Sequence, residues 1–321
     1  MYGDKTQSER LDTKGPKGQT IPKAKINLSY YITEEQFKNL YYTEKLTYVD
    51  IAKVIGYPYD LSAFSRTVRK LGWKNTVGKA DKFTSNNDLF KRFDRESAWL
   101  YGWIITDGYV HDKYVDLTLQ TKDTDVLLKF KNIAKFSGDI YIQDGHNVLR
   151  IYNRNIVSNL REQGIPKENK TFDCTFPNIP NELKWDLMRG AFEGDGCIKG
   201  KEKGGVDVSI CGASKSFMTS ISEFLADQGV DNYIREPRPG FYVVKAKGMA
   251  SALRWMYFMY ANTTDAIRMQ RKFDYYVAVI REFYNHKRYV PEAIKLVELA
   301  RQTIPECHEE YNAISTQKAV V

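Results

Sequence analysis

Trp99-Leu100-Tyr101-Gly102-Trp103-Ile104-Ile105-Thr106-Asp107-Gly108 and Leu187-Met188-Arg189-Gly190-Ala191-Phe192-Glu193-Gly194-Asp195-Gly196 are two versions of one pattern. Each reads as an apolar helix that ends in Asp-Gly. Small residues stand four apart in both: Ala98, Gly102 and Thr106 in the first, Gly190 and Gly194 in the second. Positions i and i+4 share a helical face, so each helix carries a bare stripe, and two such stripes let two backbones approach closely. Packed together, the stripes bring Asp107 and Asp195 side by side at one end. Carboxylates that close repel and call for divalent cations. A ligand set made only of carboxylates favours Mg²⁺ over zinc.

Outward from these helices the chain repeats itself. Val115-Asp116-Leu117-Thr118-Leu119 returns as Val206-Asp207-Val208-Ser209-Ile210. Both alternate apolar and polar residues, as half-buried strands do. Each precedes a Lys-led helix, spanning 122–136 and 215–228, then two short strands and a further helix. The unit is helix, strand, strand, helix, strand, strand, helix, twice over. The expected fold class is α+β, with halves at 94–176 and 177–285, an adjoining linker at 79–93, and a helical tail at 286–321.

The paired segments, followed by these strands and helices, resemble the two LAGLIDADG motifs of single-chain homing endonucleases over residues 94–285. The resemblance implies a pseudo-two-fold αββαββα repeat whose antiparallel sheets form a saddle on the DNA major groove. It places Asp107 and Asp195 on the metal-binding Asp, with two or three Mg²⁺ ions shared between them. Lys170, in Gly164-Ile165-Pro166-Lys167-Glu168-Asn169-Lys170-Thr171, matches a basic residue near the scissile phosphate. Its counterpart in the second half is Arg271 or Lys272, and Lys122 and Lys215 match a further water-organising position. Two departures stand out. Ile105 replaces an acid that Glu193 keeps, and Thr106 replaces a small interface residue and is expected to loosen or tilt the packing.

DNA reading then falls to alternate strand residues facing away from the helices. In the first half these are Tyr109, His111, Lys113, Asp116, Thr118, Gln120, Gln143 and Arg150. In the second they are Lys199, Lys201, Lys203, Asp207, Ser209, Arg235 and Lys245.

Before the repeat lies a different pattern. Residues 1–28 mix glycine, proline and basic residues without an apolar period, as a flexible basic arm does. Within 29–78, Thr33-Glu34-Glu35-Gln36 is a capping box, a second helix starts at Thr47, and a third spans 61–71, burying Leu61, Phe64, Val68 and Leu71. Leu46-Thr47-Tyr48-Val49-Asp50-Ile51-Ala52-Lys53-Val54-Ile55-Gly56 resembles the helix that precedes the recognition helix in the helix-turn-helix family. The third helix would then enter the major groove and present Ser62, Ser65, Arg66 and Arg69.

Composition bounds the alternatives. The 321 residues carry 48 Lys plus Arg against 40 Asp plus Glu, a net charge of +8, which suits a polyanionic partner. The 4 cysteines form no CxxC pair, and the 4 histidines no HExxH, which argues against a zinc site or a disulfide-stapled fold. No apolar run is long enough for a membrane span. The expectation is a cytoplasmic monomer in a bacterial, phage or organellar nucleoid. It is expected to bind double-stranded DNA at a long, asymmetric target and to cut one phosphodiester on each strand, leaving short 3′ overhangs. It would be a mobile-element enzyme, free-standing or intron-encoded. Two other readings compete: a non-cleaving transcription regulator of the same fold, and an intron maturase that binds RNA.

Overall fold

The computed structural model describes residues 28–58, 60–73, 83–200, 205–282 and 291–308. Two compact units divide the chain, at residues 1–78 and 79–321.

In the first unit, α1 (Glu34–Lys38) opens with the Thr33/Gln36 capping box and runs into a wider turn over Asn39–Thr43. Thr47 and Asp50 form a second capping box at the start of α2 (Tyr48–Val54). Gly56 takes a left-handed φ of 62°, which ends that helix. Asp60 then accepts the Ala63 N–H at 2.7 Å and starts α3 (Leu61–Lys70). Phe37, Tyr41, Ile51, Phe64, Val68 and Trp73 form an aromatic-rich core. Leu61 and Leu71, expected inside, are 43% and 41% exposed. They sit at the two ends of α3, beyond the reach of that small core. Most of the expected arm, 1–28, lies outside the described residues.

The second unit begins with a departure. Residues 83–93, expected to be linker, are packed onto the first half. Leu89 and Phe90 are buried, the Thr84 N–H donates to the Ser137 hydroxyl while the Ser137 N–H donates to the Thr84 carbonyl, and Asn159 and Gln163 bond the carbonyls of Asn87, Leu89 and Phe90. Isolated apolar residues in a polar stretch leave no periodic signal, yet Leu89 and Phe90 suffice to anchor it.

The first half follows as α4 (Arg95–Thr106), β1 (Gly108–Val110), β2 (Val115–Leu119), α5 (Thr124–Ile133), β3 (Tyr141–Gln143), β4 (His146–Ile151) and α6 (Arg154–Glu162). The short α7 (Lys170–Asp173) leads to the second half: α8 (Lys184–Asp195), β5 (Gly196–Gly200), β6 (Val206–Gly212), α9 (Lys215–Asp227), β7 (Asn232–Arg238), β8 (Phe241–Ala246) and α10 (Gly248–Tyr260). The strands form two antiparallel four-stranded sheets, ordered β1-β2-β4-β3 and β5-β6-β8-β7. The expected repeat is therefore present twice.

Both sheets alternate. Val115, Leu117, Leu119, Leu149 and Ile151 in the first, and Val206, Val208, Ile210 and Val244 in the second, point into one shared core with α4, α8 and α10. After them come α11 (Gln270–Glu282) and α12 (Pro291–Thr303). Ala293, Val297 and Ala300 of α12 are buried in the same core, so this part of the expected tail belongs to the body. Among the described residues, no helix is long and apolar enough to cross a membrane.

Candidate active site

The small-residue stripes do what their spacing requires. A Cβ on Gly190 would lie 1.9 Å from the Trp99 carbonyl oxygen, and one on Gly102 would lie 2.3 Å from that of Leu187. Only hydrogens at these positions permit such an approach of α4 and α8. Thr106 does not disturb it. Its hydroxyl donates to its own helix at Gly102 and Trp103, and Gly194 stands opposite, where a Cβ would meet Thr106 Oγ1 at 2.2 Å. Polar pins cross the interface as well. Trp99 Nε1 donates to Glu193 Oε2 at 2.7 Å, and Arg95 bonds both oxygens of Asp186 at 3.1 and 3.2 Å. Glu193 is 1% exposed and points away from the helix ends, and burial pushes its pKa up.

At those ends the two aspartates meet. Asp107 caps α4 and Asp195 is the last residue of α8. A Cβ on Gly194 would lie 2.7 Å from Asp107 Oδ2, which places that carboxylate over the end of the partner helix. Burial, and then the neighbouring Asp107 charge, raise the Asp195 pKa to about 6. Burial also raises that of Asp107, and Asp123 adds to it.

Two lysines oppose this repulsion, one for each helix. Lys170 Nζ donates to the carbonyls of Ile104 at 2.7 Å and Ile105 at 2.6 Å, at the end of α4. Lys272 Nζ donates to Phe192 at 2.8 Å and Gly196 at 2.6 Å, at the end of α8. Each cation bonds helix-end carbonyls, adding at Phe192 to the Gly196 N–H that this carbonyl already accepts, and sits at the negative end of the dipole. Burial lowers both lysine pKa values to about 8, even though both carboxylates pull them up. Of the two residues nominated opposite Lys170, the structure therefore brings Lys272 to the centre. Arg271 instead grips Asp123, with Nε to Oδ1 at 2.8 Å and Nη2 to Oδ2 at 3.1 Å.

Lys122 and Lys215 are exposed at the starts of their segments. Lys122 lies on a 3-10 turn, Thr121–Asp123, rather than leading a helix. The buried residue of that turn is its neighbour Asp123, 7% exposed, which the sequence reading passed over. The other omission is Cys211, whose thiol donates to the Asp195 carbonyl at 3.6 Å. No local pattern marks it, since the contact is made across the β5–β6 pair.

The outer sheet faces carry most of the nominated readers. On the first, Tyr109, Lys113, Thr118, Gln120 and Gln143 are exposed and His111 is half-buried. Asp116 is a correction: it is 6% exposed, and its carboxylate is taken up by Arg150 across the strand pair. On the second, Lys199 and Arg235 are exposed, Ser209 is half-buried, and Asp207 accepts from Lys245 at 2.9 Å. Lys201 and Lys203 lie outside the described residues. In the first unit, Ser62, Arg66 and Arg69 are exposed on α3 and Ser65 is half-buried. Arg66 Nε donates to the Ser62 carbonyl at 3.2 Å.

The donor set suits a hard divalent cation. Among the described residues no three or more His, Cys, Asp or Glu side chains cluster as a closed metal site. An open pair of carboxylates is what Mg²⁺ uses when water and substrate phosphate complete its shell.

The described residues between 83 and 282 thus hold two αββαββα halves joined through paired Asp-terminated helices. Residues 182–251 match the family model described as "LAGLIDADG-like domain". An uncharacterized protein of Methanocaldococcus jannaschii is 24% identical over 154 residues, which cover 43% of this chain and 17% of that relative's length. The homing endonuclease I-DmoI is similar in structure, at a TM-score of 0.39 and 16% identity over 53% of this chain and 97% of its own. Meganuclease I-AabMI, bound to uncleaved DNA, gives 0.44 and 12% over 66% of this chain and 99% of its own. Meganuclease I-SmaMI, bound to uncleaveable DNA, gives 0.40 and 12% over 65% and 98%.

Proposed function

We propose that this protein is a site-specific, Mg²⁺-dependent DNA endonuclease that hydrolyses one phosphodiester on each strand of a duplex. The observation that carries this reading is the symmetric centre, two abutting carboxylates with one half-buried lysine behind each. A binding-only protein gains nothing from it, because the raised Asp195 pKa means that ionising the pair costs stability.

Asp107 and Asp195 would hold the cation. When bound, it neutralises charge on the scissile phosphate and acidifies an attacking water. The rest falls to the chain's own groups. Lys170 and Lys272, fixed by helix-end carbonyls, keep a positive charge beside each carboxylate near neutral pH. Lys272, with two carbonyls engaged, has an N–H left for a phosphate or water oxygen, whereas Lys170 donates to Ile104, Ile105 and, at 3.3 Å, Thr106, and acts through its charge. Arg271, by clamping Asp123, withholds a third free carboxylate from the centre. The outer sheet faces bind the duplex, and α3 extends the footprint as a recognition helix. The target is long and asymmetric because the two sheets present different side chains.

The test is incubation of the full chain with plasmid DNA carrying a randomised insert, with and without Mg²⁺, followed by sequencing of the ends. Mg²⁺-dependent breaks at a recurrent sequence, with short 3′ overhangs, are the expected outcome. Binding without breaks would favour a regulator, and preferential binding of structured RNA would favour a maturase.

A further inference from the structure

Asp116 and Asp207 hold the same place in the repeated strand, but they are used differently. Asp116 Oδ2 accepts from Arg150 Nε at 2.7 Å and also from Nη2, and Arg150 is its direct cross-strand neighbour. The guanidinium lies 4.7 Å from the centroid of the Tyr114 ring, and Tyr114 packs on His111 and Tyr152. Arg150 is thereby held from below and from the side, and its side chain keeps 28% exposure while that of Asp116 keeps 8%. In the second half the carboxylate pairs with a lysine from another register position: Lys245 lies directly opposite Ser209 and diagonal to Asp207. Lys245 Nζ meets Asp207 Oδ2 at 2.9 Å, and the two side chains are 26% and 27% exposed.

Resting on the nuclease reading above, we propose that Asp116 does not read DNA but is a positioning residue. It aims Arg150 so that the first sheet reads one guanine strictly, while the Asp207–Lys245 pair, set diagonally across its strands, reads a step of the second half loosely. A carboxylate this enclosed cannot reach a base edge. It can fix the fork: Nε and Nη2 are engaged by Asp116 and the Tyr152 hydroxyl stands beside the guanidinium, and the two parallel Nη hydrogens at its far end form a planar pair that matches the N7 and O6 acceptors of guanine. Holding the fork in advance removes rotamer freedom that binding would otherwise have to remove. An ammonium is a point charge with rotating donors and accepts several geometries, so Lys245 discriminates less. Asp116 also places a negative charge near the phosphates, so its contribution is to selectivity rather than to affinity.

The test is selection of bound duplexes from a randomised pool by the full chain without Mg²⁺, with sequencing of the enriched fraction. Wild type should show one strict guanine on one side of the site centre and a weaker preference on the other. Asp116→Asn should lower the guanine preference about tenfold while affinity for the unselected pool stays level or rises. Arg150→Lys, which keeps the charge, should leave a preference as weak as that of the second half, and it stands in if Asp116→Asn fails to fold. An unchanged guanine preference in either folded variant overturns the proposal. So does loss of a cytosine preference in Asp116→Asn at a position that Arg150→Lys leaves alone, because Asp116 would then read a base itself. A wild-type chain that enriches no sequence at all overturns the nuclease reading, and this proposal with it.

Discussion

The first and second halves share one topology and differ most where they face outward. Around Arg150 the first sheet gathers Tyr109, Tyr114, Tyr141 and Tyr152, whereas the second presents Lys199, Asp207, Arg235 and Lys245. At the centre the halves nearly coincide. Lys170 caps α4 as Lys272 caps α8, and the glycine stripes interlock backbone to backbone. The contrast shows where the constraint lies. A two-fold centre admits only side chains that fit against their own counterparts, while an outer face answers only to its partner and is free to diverge.

The largest expected effect tests the equivalence of the centre. Lys170→Met and Lys272→Met should each slow cleavage by about 10²–10⁴-fold, the range for a positioned acid or base group. If the halves are equivalent, the residual product should be nicked on opposite strands in the two variants. Strand-resolved gels check this, and nicks on the same strand would break the equivalence.

Next comes the interface. Gly190→Ala drives a Cβ against the Trp99 backbone, which cannot yield, and should cost about 3 kcal/mol, the upper end of overpacking. Gly194→Ala meets chiefly the Thr106 side chain and should cost less, about 1–2 kcal/mol. Denaturant melts would show whether the order is reversed.

A smaller effect separates the two aspartates. The Asp195 pKa is raised from 3.8 to about 6, so the folded state binds more protons between those values and stability falls as pH rises through that window. Asp195→Asn should therefore stabilise the metal-free protein at pH 7–8 by about 2 kcal/mol, discounted for partial exposure. The gain should vanish below about pH 4. The lysines act at the other end of the scale. Depressed to about 8, they make stability rise with pH between there and 10.5. Metal-free melts across pH test both signs, and a flat profile between pH 4 and 6 would contradict the burial argument.

The smallest effect sharpens the outer contrast. Lys199→Ala or Arg235→Ala should each reduce the salt slope of DNA binding by about one unit. Tyr109→Ala, which removes an aromatic and no charge, should weaken binding without changing that slope. Equal slopes in all three would mean that the two faces do not divide the work between charge and stacking.

Much of this was legible in the residues themselves. Glycines four apart, an Asp-Gly ending and a strand that recurs are local patterns, and local patterns follow from helix and strand periodicity alone. They determined the repeat, the paired helices and the meeting of Asp107 with Asp195. Which other groups join that meeting was decided only by the tertiary structure. Lys272 and Arg271 are adjacent in the chain and equally basic, yet successive helical positions point about 100° apart, so one reaches the α8 carbonyls and the other turns to Asp123. Lys122 and Asp123 divide in the same way, one exposed and one buried. The alternation of β2 put Asp116 on the outer face, but not the Arg150 that covers it, because that neighbour arrives from β4 through strand register. Periodicity gives the face of an element, and only packing between elements gives what that face meets.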